Sequence, residues 1–194
     1  MKTRNYLIIL LIPLMFAGCS PSRDKSVKTI GAMEKRLFSP QSTSFDKAKW
    51  DSLITMYDAF CKRFPKDSLV PGYLFNAANI SMNTGDGQKA LSLFQQIIDT
   101  YPSYTKAPLC LFFKAYVYEN LLHDLAKAKE FYLQFIEKYP SNEFVSAARA
   151  SIQNLGKSPE QMVKEFEERR KADSTHQADS VAKIIGKGRK KGKG

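Results

Sequence analysis

Apolar side chains recur through the middle of this chain at the three-and-four spacing that lines one face of a helix. Ala90, Leu91, Phe94, Ile97 and Ile98 form one such stripe, and Ala128, Phe131, Tyr132, Phe135 and Ile136 form a second. The small Ala90 and Ala128 let a neighbouring helix approach closely. The larger residues then fill the space, each contributing about 1.5–3 kcal/mol when buried. Each stripe stops at a proline, which disfavours helical geometry in the residue before it. The segments Tyr57 to Pro65, Phe94 to Pro102 and Tyr132 to Pro140 end alike, their prolines spaced by 37 and 38 residues. Between prolines the pattern predicts helix, short turn, helix. Repeats of that length imply an all-α fold, a short α-solenoid of stacked helix pairs.

Helices are expected at both ends of the stack. Thr43 to Asp46 has the form of a capping box, opening a helix with Trp50, Leu53, Ile54, Tyr57 and Phe60 on one face. Upstream, Val27, Ile30, Met33 and Leu37 sit at helical spacing and stop before Pro40. After Pro140, the apolar face of Phe144, Val145, Ala148 and Ile152 runs to Gly156. Ser158, with Pro159 at the first helical position and Gln161 closing a box, starts another helix. That helix presents Met162, Val163 and Phe166, is strongly charged from Glu165 to Asp173, and is expected to cap the stack.

The N-terminus follows a different logic. Lys2 and Arg4 precede an apolar run from Leu7 to Phe16, too short to span a bilayer, and Ala17-Gly18 precede Cys19. This is the pattern of a secretory signal. The cysteine directly after the small residues resembles a bacterial lipobox, with Phe16 where that motif usually has Leu. The resemblance implies cleavage before Cys19 and a diacylglycerol on its thiol, which leaves the remaining chain outside the cytoplasm on a membrane surface. Ser20 behind the cysteine looks like an outer-membrane address. Two or more acyl chains make such attachment effectively stable. The expected organisation is a signal over 1–18, a lipidated linker with a helix over 19–44, repeats over 45–155, a capping helix over 156–182 and a basic tail over 183–194. In that tail Lys183, Lys187, Arg189, Lys190, Lys191 and Lys193 alternate with glycines and carry no acidic partner, so it is expected to be disordered.

The repeats resemble tetratricopeptide repeats, which want a small residue late in the first helix, Ala opening the second, an aromatic four later and a closing Pro. Ala78, Ala90, Phe94 and Pro102 match in one unit, and Ala128, Tyr132 and Pro140 in the next, with Tyr116 where the small residue belongs. The resemblance implies a groove facing Phe75, Asn79, Met82 and Asn83 of one unit and Cys110, Phe113, Val117, Asn120 and Leu121 of the next. An asparagine amide both donates and accepts, which suits capture of a peptide backbone. The alternative is that Phe75, Phe113 and Val117 simply face neighbouring helices. A lipid anchor followed by such repeats is similar to the lipoprotein family of outer-membrane protein assembly.

Catalytic patterns fail on context. Gly85, Gly87 and Ala90 have dinucleotide-binding spacing, but no strand feeds the turn. Ser103 and Lys106 have the Ser-x-x-Lys spacing of penicillin-binding proteins, but no Lys-Thr-Gly or Ser-Asp-Asn element follows. His123 and His176 lack a cysteine or second histidine at ligand spacing, so neither a metal, a cofactor nor a nucleophile–base pair is expected. Cys61 and Cys110 fall on apolar faces and are expected as buried free thiols. The chain has 30 basic and 19 acidic residues. In a secreted chain that excess points to anionic lipid or wall polymer, not nucleic acid. The sequence thus predicts a non-enzymatic envelope lipoprotein, lipid-anchored at the outer membrane and facing the periplasm. It would act as a protein–protein interaction scaffold, with wall or anionic-lipid binding through the tail as the alternative.

Overall fold

The computed structural model describes residues 21–39 and 46–191, with backbone alone for 176–191. Among the described residues there are eight α-helices and no strand, and the chain divides at Val70 and Pro71 into two compact units. No described helix is long and apolar enough to cross a membrane. Cys19 and its lipobox, Thr43, and Lys193 lie outside the described residues.

The first unit pairs α1 (Arg23–Leu37) with α2 (Lys47–Arg63). Ser22 caps α1 by accepting from the Lys25 amide, and Lys35 and Arg36 in its last turn suit the negative end of the helix dipole. The cap of α2 is Asp46, whose carboxylate accepts from the Ala48 amide. The helix therefore opens after Asp46, later than a Thr43 box would start it. A hydrogen bond from Lys49 holds the Asp46 carboxyl below its usual pKa, so the cap is anionic where it meets the helix N-terminus. Of the expected faces, Ile30 and Leu37 on α1 and Leu53, Ile54, Tyr57 and Phe60 on α2 are buried, while Val27, Met33 and Trp50 are half-buried. The phenol of Tyr57 donates to Glu34 Oε1 at 2.7 Å, tying the pair together.

The second unit holds α3 (Val70–Asn83, starting at the boundary), α4 (Gly87–Thr100), α5 (Ala107–Asn120), α6 (Leu125–Lys138), α7 (Val145–Asn154) and α8 (Pro159–Lys191). Asp86 and Asp124 cap α4 and α6, accepting from the amides of Lys89 and Lys127. In the predicted stripes, Ala90, Leu91, Phe94 and Ile97 of α4 and Ala128, Tyr132 and Phe135 of α6 are buried. Both helices stop at a tyrosine before proline. The Tyr101 and Tyr139 amides make the last bonds, to the carbonyls of Ile97 and Phe135. Phe112 of α5 forms the hub between helices, its ring 5.4–5.6 Å from those of Tyr132, Phe135 and Phe144. Ala148 joins α7 to this cluster.

At α8 the capping box forms as expected: Ser158 N–H donates to Gln161 Oε1 at 2.8 Å, and the Gln161 amide donates to Ser158 Oγ. The helix then continues to Lys191, so Lys183, Lys187, Arg189, Lys190 and Lys191 lie on helical backbone where a disordered tail was expected. The missing core explains the expectation, but a helix bonds to itself. Lys and Arg between the glycines, and Ala182, Ile184 and Ile185 ahead of them, are adequate helix formers, and each interior glycine costs only about 1 kcal/mol. Met162, Val163 and Phe166 are exposed along this helix.

Candidate partner-binding face

The repeat register decides which side chains face outward. The two second helices are related by 38 residues (Asp86 to Asp124), but the two first helices by 37 (Val70 to Ala107). The extra residue sits in the turn after α5. Asn83-Thr-Gly85-Asp86 becomes Asn120-Leu-Leu-His123-Asp124, with the left-handed residue before each cap being Gly85 in one and His123 in the other. The small residue corresponding to Ala78 is therefore Ala115, and both are fully buried. Tyr116 does not occupy that position. It corresponds to Asn79, and it is 42% exposed.

This one-residue correction sorts the expected groove residues. Val117 is fully buried, and with Leu121 and Leu122 it closes on Gly87, where an added Cβ would lie 3.2–3.4 Å from all three. Cys110 is also fully buried, its thiol donating to the Lys106 carbonyl. Burial pushes that thiol up to about 12 and Cys61, which is half-buried and not buried as expected, up to about 11; both are free. Phe75 and Phe113 belong to a ring cluster, 6.0 Å apart, with Phe94 6.2 and 5.7 Å from them. They face neighbouring helices, and Lys106 Nζ covers the Phe75 ring at 4.9 Å. Met82 is buried.

What remains open is a short polar strip. Asn79 is half-buried, and Asn83, Tyr116 and Asn120 are exposed. Asn79 donates to the Phe75 carbonyl at 2.9 Å and Asn120 to the Tyr116 carbonyl at 3.0 Å. Each amide is thereby fixed against its own helix through its nitrogen. An amide bonded this way keeps its oxygen as an acceptor. Counting from the prolines missed Tyr116 because the inserted residue lies between α5 and its proline.

Two further features escaped the sequence reading. Lys114 of α5 is only 7% exposed, in a cleft formed with α4 and α6. Its ammonium donates to Gln95 Oε1 and lies 4.1 Å above the Phe131 ring. Burial lowers its pKa, while Asp99 and Glu130 pull the other way. The only signal was a lysine where the preceding repeat has Ala77. The second feature is Glu119, which accepts from the Tyr132 phenol at 2.8 Å and so is spent inside the repeat. Burial, ahead of the Glu119 contact, raises the Tyr132 pKa.

Residues 73–104 and 111–142 match the tetratricopeptide repeat family, each segment running from within α3 or α5 through α4 or α6 to just past the closing proline. No curated protein matches the chain. Repeats of this family mediate binding to other proteins, and the fold is the all-α stack of helix pairs expected from the apolar stripes.

Proposed function

We propose that this protein is a lipid-anchored envelope scaffold whose two repeats hold a segment of another protein. In this reading Cys19 tethers the chain to the outer membrane, facing the periplasm, among the components that assemble outer-membrane proteins. The observation that carries it is the polar strip on the matched repeats: exposed Tyr116 and Asn120 on α5, with exposed Asn83 and half-buried Asn79 on α3. Such a surface pairs with backbone N–H groups of an extended segment, and tyrosine supplies contact area at low entropic cost. The anchor is supported by the sequence pattern that ends at Cys19.

The test is crosslinking in cells, followed by purification through a C-terminal epitope and identification of captured proteins. Tyr116→Ala with Asn120→Ala is expected to reduce capture at least tenfold with an unchanged helical spectrum. Capture at the wild-type level would sink the assignment of this face. A second reading rests on charge: residues 183–194 hold six basic and no acidic side chains. It has wall polymer or anionic lipid bound there, and predicts that deleting residues 187–194 abolishes that binding.

A further inference from the structure

The positive charge of this chain is unevenly placed. From Pro21 to Val70 there are ten basic and six acidic side chains, whereas residues 71–182 hold twelve basic and thirteen acidic. The repeats are close to neutral. Apart from the tail and the signal, the excess lies on the first helix pair.

That pair also carries a groove of about 690 Å³, within the ~300–1,000 Å³ of ordinary small-ligand sites. Its apolar lining comes from buried Ile30 of α1 and Phe60 of α2, with half-buried Met56 and exposed Ala59 beside them. Its rim is basic, with exposed Lys25, Lys62 and Arg63. The Lys62–Asp58 pair at 2.8 Å is solvent-exposed on both sides, so it is weak and leaves Lys62 able to exchange partners. An apolar trough edged by cations matches one chemistry in both parts, a phosphate head group with hydrocarbon behind it.

The groove's position points the same way. Pro21 lines it, and Pro21 is two residues from Cys19, a reach of at most ~7 Å. The head-group layer of a bilayer is about 5–7 Å deep on each side. In a chain lipidated at Cys19, the Pro21 end of this groove is within reach of the phosphate layer.

We infer that the groove between α1 and α2 is a docking site for anionic phospholipid of the anchoring membrane, with Lys25, Lys62 and Arg63 meeting head-group phosphate and Met56, Ala59 and Phe60 meeting acyl chain. Its orientation rests on the lipidation reading above, but the binding itself needs no lipid on Cys19. The first helix pair would then be held against the bilayer surface, while the repeats stay free for a protein.

The test uses residues 20–194, without Cys19, floated with vesicles of phosphatidylcholine alone or with 30% phosphatidylglycerol. Binding is expected only to the anionic vesicles, falling as salt rises. Lys25→Glu, Lys62→Glu and Arg63→Glu together should weaken it on the order of a hundredfold, since each basic residue is worth roughly fivefold near an anionic surface. All three side chains are exposed, and an unchanged helical spectrum confirms the fold. Ala59→Glu, which places a negative charge on the apolar lining, should weaken binding at least tenfold with the basic side chains intact. Deleting residues 187–194 should leave most of it. Binding that survives the rim variant, or that vanishes with the tail alone, overturns the inference. Incorporation of labelled fatty acid into the full chain, lost with Cys19→Ala, tests the anchor separately, so a failed anchor and a failed groove give different results.

Discussion

Tyr57, Phe94 and Tyr132 hold the same place in three helix pairs, all buried, and the partner on the preceding helix changes with them. Tyr57 donates to Glu34 and Tyr132 to Glu119, while the residue corresponding to Glu119 in the phenylalanine's repeat is Met82. A buried hydroxyl needs an acceptor and a ring without one needs an apolar neighbour. Tyr132→Phe should therefore cost about 1–2 kcal/mol, because the Glu119 carboxylate loses its donor. Adding Glu119→Met rebuilds the Phe94–Met82 combination and should recover most of that loss in urea unfolding. A double variant no more stable than the single one would mean that the two positions are not coupled. Lys114 makes a second residue-scale prediction. Its folded pKa lies below 10.5, so the unfolded chain binds more protons between the two values, and stability rises with pH through that window. Lys114→Met removes the effect. Its stability relative to wild type should be most favourable at pH 7 and decline towards pH 10.5.

At the scale of elements, the turn between a first and a second helix carries the most information. Gly87 begins α4 where the end of α5 comes closest, and its missing Cβ makes room for Val117, Leu121 and Leu122. Gly87→Ala should push these apart and cost about 1–3 kcal/mol, measured as a lowered urea midpoint with an unchanged slope. The helices were legible from sequence because burial alternates at the helical period, and because proline and the Ser158 cap act locally. The lateral register was not. Prolines mark where second helices end, so counting from them places second-helix residues correctly. It shifts first-helix residues by one wherever the turn has gained a residue. A shift of one on a helix turns a side chain by about 100°. That is enough to exchange Tyr116 for Val117, an exposed contact for a buried one. The basic end was misjudged for a different reason. A missing core argues against tertiary structure, not against a helix that satisfies its own backbone.

Across the whole chain, charge and chemistry are kept apart. The near-neutral repeats carry tyrosine and asparagine on their open face, and the cations cluster in the first helix pair and beyond Lys183. The division suits a protein that meets two surfaces at once without one competing for the other. It also makes the two readings separable, because salt should weaken vesicle binding while leaving capture at Tyr116 largely unaffected. A last consequence follows from where the odd residue fell. The stretch from 71 to 107 is one period of the first-helix spacing, free of the insertion that follows α5. Copied in tandem it should splice onto itself without a mismatch at the joint, lengthening the array one module at a time. A block cut from proline to proline across α5 and α6 would instead carry the additional residue inside every copy, in the turn between its two helices.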